Sequence, residues 1–414
     1  METSGLRHVA REGGQLPVYL AIRFLSEMAA MALSVAIGWT VYRLSNAPLA
    51  LGIVGIVQFL PMLLLTLPAG ELSDRLSPRR VLAVGLVVQC LCSIAFFSLS
   101  IARAQVVWPF YVVLLMFGAA RAFVEPAGQA LLPSIVQAER LPKAIGWSSS
   151  VWQTAVIVGP VLGGLAFGFG EAFVYGMCGI GFIAAALGTT LLAGSRHSAP
   201  DIGGTIADRI ARVCDGIAFI WSRPIVLGAI SLDLFAVLFG GATTLLPIYA
   251  RDILHVGPSG LGLLRSAPAI GACLIALLQT RYPPSRHVGL VLFAAVAVFG
   301  AATLVFAVST SFVLSLVALF VLGVSDMVSV NIRMAMVQLA TPEAMLGRVS
   351  AVNMLFVGAS SELGSFESGL AAAFLGVVPA VALGGIGTLI VAAVWMVIFP
   401  ALRTADRLAH QAPD

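Results

Sequence analysis

The sequence predicts an all-α membrane protein of twelve transmembrane helices, arranged as two pseudo-symmetric six-helix bundles. Hydrophobic residues make up 59% of the 414 residues and charged residues only 10%, whereas a soluble domain carries about 25% charged residues. Apolar runs of about 20 residues, long enough to cross a bilayer, recur along the whole chain. Two short motifs of the first half also return in the second half.

Six apolar runs in the first half predict six spans. They lie at approximately 16–44, 49–70, 81–101, 107–129, 147–169 and 172–193. The polar stretch 194–223 follows, and within it residues 206–221 are predicted to form an amphipathic helix. Its charged residues, among them Asp208 and Asp215, lie opposite Ile210 and Ile217.

The second half contains spans 7 to 12. They lie near 224–250, 259–280, 287–308, 311–335, 346–374 and 377–400. The predicted domains are therefore a bundle at 1–193, a cytoplasmic linker at 194–223 and a second bundle at 224–414.

Two matches between the halves indicate an internal duplication. A Pro-x-x-Leu-Gly motif begins span 2 at Pro48 and span 8 at Pro258. A glycine stands three residues before a charged residue in span 4, at Gly118, and in span 10, at Gly323. Either match alone could arise because glycines are common in membrane helices. Together, at offsets of 210 and 205 residues, they favour a repeat with a binding site between the halves.

The distribution of arginine and lysine predicts the orientation. If both termini are cytoplasmic, the outer segments hold only Arg43, Arg103 and Arg251, and the inner segments hold most of the others. The positive-inside rule therefore places both termini in the cytoplasm.

The hairpin between spans 2 and 3 is short and charged, reading Gly-Glu-Leu-Ser-Asp-Arg-Leu-Ser-Pro-Arg-Arg at 70–80. It resembles the loop between the second and third helices of the major facilitator superfamily, except that Ser77 and Pro78 replace a glycine and a basic residue. The residues that match this gating loop include Gly70, Asp74, Arg75, Arg79 and Arg80. The resemblance implies that Asp74 is a conformational latch rather than a ligand.

Span 5 resembles the signature of facilitator-superfamily antiporters, which accompanies export more than uptake. The matching residues are Gly146, Gly159, Pro160, Gly163 and Gly164, while Ala155 replaces a glycine. From the residues alone, the proline frees a backbone carbonyl and the glycines allow close helix contact.

The second half resembles one branch of the superfamily, that of the macrolide-efflux proteins and the enterobactin exporter. The similar stretches are 245–250, 260–268, 338–350 and 360–369. This twelve-span drug:proton antiporter type implies the facilitator fold, with alternating access and export across a bacterial inner membrane.

Nine ionisable side chains lie within the predicted spans. A charge at the centre of a membrane helix costs about 2.5–3.5 kcal/mol, so we expect these residues to face inward. Arg23 with Glu27, and Arg121 with Glu125, are four residues apart and could be structural ion pairs. Six acids against three arginines nevertheless leave carboxyl groups over, and an unpaired carboxylate in a low dielectric takes up a proton.

Proton coupling is therefore the predicted role of the surplus acids. Asp233, Glu362 and Glu367 have no cation within four residues in sequence. Asp233 and Glu362 rank first because they lie near the middle of their spans, and Glu27 ranks third because Arg23 can neutralise it. The proton-coupling candidates are Asp233, Glu362, Glu27 and Glu367, and the other cavity charges are Arg23, Arg121, Glu125, Asp326 and Arg265.

Aromatic residues on spans 5 and 7 could form a wall for the substrate. The candidates are Trp147, Trp152, Phe235 and Phe239. The alternative is that they pack against other helices or face lipid, as aromatic residues in membrane helices commonly do.

We predict a secondary active transporter, a proton-coupled exporter of a small amphipathic molecule such as a drug, a macrolide or a siderophore-like compound. The alternatives are an uptake permease of the same fold and a non-transporting scaffold or sensor. Nucleotide-binding, nucleophile-elbow and zinc-protease motifs are absent from the sequence, so no enzyme activity, cofactor or metal is expected. The expected partners are a small-molecule substrate, protons and the bilayer, without nucleic acid, and the expected state is a monomer.

Overall fold

The computed structural model describes residues 2–192, 206–282 and 286–405. Within these ranges, the side chains of residues 2–13, 66–75, 206–213, 343–344, 351 and 355 lie outside the description. All regular structure in the described part of the chain is helical.

Six long helices form the first half. They are α1 Glu2–Ser45, α2 Pro48–Arg75, α3 Pro78–Ile101, α4 Trp108–Ile135, α5 Leu141–Ala166 and α6 Glu171–Gly188, with short 3₁₀ turns at Ala138–Arg140, Phe167–Phe169 and Thr189–Leu191. These helices correspond to predicted spans 1 to 6.

The described part of the second half contains nine α-helices. They are α7 Ile206–Ser222, α8 Pro224–Phe239, α9 Leu246–Ile248, α10 Gly257–Arg281, α11 Val288–Val308, α12 Phe312–Leu339, α13 Glu343–Leu375, α14 Val377–Ile398 and α15 Pro400–Arg403. A 3₁₀ segment and a π turn also lie between α8 and α10. Span 7 corresponds to α8 and the irregular segment that follows it, and spans 8 to 12 correspond to α10 to α14.

Eleven helices in the described residues are long and apolar enough to cross a membrane, and the predicted all-α membrane fold is confirmed. Helix α13 is not among the eleven, although it is 33 residues long. Its middle is polar, since Glu362, Glu367 and several serines occur between residues 360 and 368. A helix of this composition is poorly suited to contact lipid on all sides.

Turn residues determine where several helices begin. The proline at the start of α2, α3 and α8 has a fixed φ that suits the first helical turn. Helices α6 and α14 follow Gly170 and Gly376, whose φ angles of 108° and 88° favour glycine. These two glycines precede the last helix of each predicted repeat.

Span 7 is interrupted, whereas the apolar run alone predicted no break. Helix α8 ends at Phe239, and a 3₁₀ segment at Gly241–Leu245, the short α9 and a π turn at Tyr249–Ile253 complete the span. A Cβ at Gly241 would lie 2.5 Å from the carbonyl oxygen of Gly364 on α13. The close approach of α13 therefore requires glycine where the α-helix stops.

Close packing divides the chain into two compact units. Unit 1 comprises Met1–Asn46, Ile56–Ile202 and Gly257–Ser266; unit 2 comprises Ala47–Gly55, Gly203–Val256 and Ala267–Asp414. The start of α2 thus packs with unit 2, and the start of α10 packs with unit 1. The predicted domain boundaries at 193 and 224 stay a prediction.

Each unit contains an equivalent close contact at a glycine. In unit 1, a Cβ at Gly118 on α4 would overlap the carbonyl oxygen of Gln58 on α2. In unit 2, a Cβ at Gly323 on α12 would overlap the carbonyl oxygen of Pro268 on α10. Gln58 and Pro268 are separated by the same 210 residues as the two Pro-x-x-Leu-Gly motifs. The equivalent contacts support the predicted duplication.

A second pair of glycine contacts, one in each unit, has the same offsets of 210 and 205 residues between the halves. Within unit 1, a Cβ at Gly164 on α5 would lie 3.0 Å from the Cα atom of Gly262 on α10. Within unit 2, a Cβ at Gly369 on α13 would lie 2.9 Å from the Cα atom of Gly52 on α2. Small residues let helix backbones approach closely in a membrane protein.

Helix α7 lies where the amphipathic helix of the linker was predicted, and its described residues include both packed and exposed side chains. Ile220 is buried and Ile217 partly buried in the core of unit 2, while the exposed Asp215 forms an ion pair of 2.9 Å with Arg348 on α13. The apolar face of α7 therefore packs against the predicted cytoplasmic end of α13.

We expect Gly118→Ala and Gly323→Ala each to destabilise the protein by about 1–3 kcal/mol, because the added methyl group overlaps a carbonyl oxygen of the neighbouring helix. Thermal unfolding in detergent would measure the effect. Gly128→Ala is the matched control, since Gly128 also lies on α4 and a Cβ added there would meet no described atom of another helix within 4 Å. Equal melting temperatures for Gly118→Ala and Gly128→Ala would contradict the packing argument.

Candidate functional site

Unit 1 contains a group of four charged side chains, one buried and three partly buried, which we call the unit 1 cluster: Arg23 and Glu27 on α1, and Arg121 and Glu125 on α4. Each pair is four residues apart, so both members lie on one face of their helix. Helices α1 and α4 pack against each other within this unit. Glu27 is only 8% exposed.

The two acids of the unit 1 cluster contact each other. The carboxyl groups of Glu27 and Glu125 share a hydrogen bond, and Arg23 and Arg121 lie close enough to interact electrostatically with Glu27. An ionised carboxylate is only an acceptor, so a hydrogen bond between two carboxyl groups requires a proton on one of them. One proton shared between Glu27 and Glu125 would satisfy this arrangement.

The arginines of the unit 1 cluster form only long ion pairs and hydrogen bonds with the described residues. The Arg121 Nε atom lies 3.7 Å from Glu125 Oε1. Arg23 donates from Nη1 to the Tyr19 hydroxyl group at 3.4 Å, and that hydroxyl group donates to the Gly128 carbonyl oxygen at 3.0 Å. The buried Nε atom of Arg23 has no hydrogen-bond partner among the described residues. Arg23, Glu27 and Glu125 also line a small cavity, so Arg23 could bind a further acceptor.

Unit 2 contains a second group, which we call the unit 2 cluster: Asp233 on α8, and Asp326 and Arg333 on α12. Arg333 forms an ion pair with Asp233, and their side chains are only 7% and 13% exposed. Arg333 Nε also donates to the Ser329 carbonyl oxygen at 3.3 Å. Asp326 interacts electrostatically with both Arg333 and Asp233. All three residues line a small cavity within unit 2. The cluster contains two acids and one arginine.

The pairing of Asp233 corrects one premise of the sequence analysis. Asp233 was ranked as an acid without a nearby cation, because only residues close in sequence were considered. Arg333 is one hundred residues away in the chain, and the packing of α8 against α12 brings it to Asp233. Asp326, Ser329 and Arg333 are spaced by three and four residues, a pattern that places them on one helical face.

The remaining predicted acids lie on α13. The Glu362 carboxyl group lies beside Gly55 of α2, since a Cβ at Gly55 would be 2.7 Å from Glu362 Oε2. Glu367 is half-buried and hydrogen-bonds with Ser368. Arg265 is partly buried on α10. These three residues belong to neither cluster as defined above.

The predicted aromatic wall divides into exposed and packed residues. Trp147 and Trp152 are exposed on α5. Phe235 packs against Trp395, with ring centroids 5.1 Å apart, and Phe239 packs against the hydrophobic core of unit 2. Phe235 is nonetheless 36% exposed, close to the 38% of Trp152, so the substrate wall stays a prediction.

The span-5 motif makes close helix contacts at three of its glycines. Cβ atoms at Gly159 and Gly163 would approach the backbone of α1 within 2.8 Å and 2.7 Å, and Gly164 contacts α10 as described above. A Cβ added at Gly146 would meet no described atom of another helix within 4 Å. Pro160 is buried.

The gating-loop prediction lies partly outside the description. The side chains of Gly70, Asp74 and Arg75 are not described, so the latch role of Asp74 stays a prediction. Arg79 donates to the carbonyl oxygens of Leu192 and Thr190 at 2.6 and 3.3 Å, whereas Arg80 is exposed.

Sequence reasoning missed a polar network in unit 1. Glu171, the first residue of α6, forms an ion pair of 2.7 Å with Arg43 near the end of α1. Thr40 donates to the same carboxyl group, and the buried Tyr175 donates to Thr40. Arg43 and Glu171 fall at the ends of predicted spans, and these ends lie on the same predicted face of the membrane. That placement could have suggested the pair from the sequence.

Among the described residues, no group of three or more histidine, cysteine, aspartate or glutamate side chains could hold a metal ion.

We expect Arg333→Met to destabilise the protein by about 3–5 kcal/mol, because it leaves Asp233 buried without its cation. The double variant Asp233→Asn with Arg333→Met should recover much of that loss, since no uncompensated partner of the pair remains. Chemical or thermal unfolding of both variants would measure the difference. A double variant less stable than Arg333→Met alone would contradict this role of the pair.

Comparison with known proteins places this architecture in a family. The family model described as Major Facilitator Superfamily matches residues 19–365. Curated relatives include the enterobactin exporter EntS of Shigella boydii serotype 18, 24% identical over 394 residues, which covers 93% of this chain and 92% of the relative. EntS of Citrobacter koseri is 25% identical over 395 residues, with the same coverage of both chains.

Solved structures agree on the fold. A variant of the nucleoside transporter NupG has a TM-score of 0.74 at 13% identity, covering 93% of this chain and 100% of its own. A bacterial homologue of the human lysosomal transporter Spinster, in an inward-facing and unoccupied conformation, has a TM-score of 0.71 at 14% identity, covering 95% and 96%. The chain belongs to the major facilitator superfamily, and it is a multi-pass membrane transporter rather than an enzyme.

Proposed function

We propose that this transporter is a proton-coupled exporter of a small amphipathic organic molecule. It would lie in a bacterial inner membrane with both termini in the cytoplasm and work by alternating access. The export direction is supported by relatives that are named enterobactin exporters and by the resemblance of span 5 to the antiporter signature. An uptake permease and a non-transporting scaffold are the alternatives.

The observation that carries the coupling proposal is the hydrogen bond between Glu27 and Glu125. The shared proton lets two acids and two arginines coexist in a partly buried cluster. If the proton leaves, the two carboxylates repel each other, and each has an arginine of the cluster nearby. The Nε atom of Arg23, which has no partner among the described residues, could then donate a hydrogen bond to one of them. Proton release would thus change the contacts between α1 and α4.

The unit 2 cluster has a different role in this proposal. Asp233 is neutralised by Arg333, which leaves Asp326 as the acid of that cluster without an ion pair of its own. We therefore rank Glu27 with Glu125 first, Asp326 second, and keep Glu362 and Glu367 as further candidates. Asp233 becomes a positioning partner of Arg333.

The charges also bear on the cargo. Arg23 has a free donor at the unit 1 cavity, which suits a cargo with an oxygen acceptor. The unit 2 cluster, with its excess of acid, suits a cation. Enterobactin, erythromycin and ethidium are therefore suitable first probes, because they differ in charge.

We expect at least one of these probes to accumulate in inside-out vesicles whose interior is acidic, because protons leaving the interior would drive cargo inward. A protonophore should abolish this accumulation, and vesicles without the protein are the control. Accumulation only in right-side-out vesicles would identify an uptake permease. Absence of pH-dependent movement for every probe would favour the scaffold.

We expect Glu27→Gln and Glu125→Gln to abolish pH-driven transport while sparing exchange of labelled for unlabelled probe, which needs no net proton movement. Both activities can be measured in one preparation of proteoliposomes. Glu139→Gln is the matched control, since Glu139 is exposed in the turn before α5. If both cluster variants keep full pH-driven transport, protons move through other groups and this assignment fails.

A further inference from the structure

An apolar groove runs along the surface of unit 1 between α3 and α4. Its volume is about 420 Å³. Except for Arg80, the residues that line it are apolar. The proposed transport cycle uses none of these apolar residues.

The groove is recessed because small residues form its floor. Gly85 on α3 is buried against Val124, since a Cβ at Gly85 would lie 2.5 Å from Val124 Cγ2. Ala120 on α4 is also buried, whereas Val84 and Met116 at the rim are 64% and 55% exposed. In a chain that spans a membrane, exposed apolar side chains within helices face lipid. The shape therefore suits a flexible hydrocarbon chain.

The groove has a positive charge at one end. Arg80, in the first turn of α3, is exposed and has no ion-pair partner among the described residues. The neighbouring Arg79 is instead bound to two carbonyl oxygens of the same unit. The predicted orientation places Arg80 at the cytoplasmic leaflet, whose anionic lipids attract basic side chains near the membrane surface.

We propose that this groove binds one phospholipid with an anionic head group. An acyl chain occupies the apolar floor between α3 and α4, and the head-group phosphate contacts the guanidinium group of Arg80. Charge complementarity selects an anionic lipid over a zwitterionic one, because Arg80 is the one charged side chain among the described residues that line the groove. The lipid would hold the cytoplasmic ends of α3 and α4 together.

The test is native mass spectrometry of the delipidated full-length protein, titrated with phosphatidylglycerol or with phosphatidylcholine of the same chains. Wild-type protein should bind one phosphatidylglycerol more tightly than phosphatidylcholine. Arg80→Gln should weaken phosphatidylglycerol binding roughly fivefold, the change that corresponds to about 1 kcal/mol for one basic residue at a membrane surface. Ala119→Leu, which fills the groove, should weaken binding of both lipids.

Arg140→Gln is the matched control, because Arg140 is exposed on the same predicted face but does not line the groove. A photoreactive phosphatidylglycerol should label Met116 or Val84 in wild-type protein. Equal loss of affinity in Arg80→Gln and Arg140→Gln would overturn the proposal. So would unchanged binding in Ala119→Leu, or a dimer that dissociates when the groove is filled, since a second copy of the chain would then be the occupant.

Discussion

The cost of placing a charge in a bilayer constrains this whole molecule. Each charged side chain at the centre of a membrane helix costs about 2.5–3.5 kcal/mol on insertion scales, and the described spans contain both acids and arginines. The structure meets this cost by gathering charges into buried and partly buried clusters. Glu27, Glu125, Asp233 and Arg333 all have a charged or proton-sharing partner in the described structure.

The two clusters occupy equivalent positions but differ in composition. Each lies on the first and fourth spans of one half of the chain, as expected for a duplicated fold. These spans are α1 and α4 in the first half, and α8 and α12 in the second. The unit 1 cluster contains two arginines and two acids, whereas the unit 2 cluster contains one arginine and two acids. A symmetric scaffold thus carries an asymmetric charge distribution.

Hydropathy predicted the fold well because most membrane helices contain about 20 predominantly apolar residues, and α13, with its polar middle, is the exception. The glycine spacing predicted the repeat because backbone contacts such as Gly118 with Gln58 tolerate no larger side chain. The sequence did not predict the break in span 7, since it depends on the approach of α13 to Gly241. Nor did it predict the pairing of Asp233 with Arg333, because pairing across helices depends on how each helix is rotated.

Infrared difference spectroscopy of the reconstituted protein tests the central claim most directly. A protonated carboxyl group has a carbonyl absorption band that an ionised carboxylate lacks. The account predicts such a band at neutral pH that disappears on alkalinisation and is missing in Glu27→Gln. A spectrum in which Glu27→Gln leaves every protonated-carboxyl band unchanged would contradict a proton shared between Glu27 and Glu125.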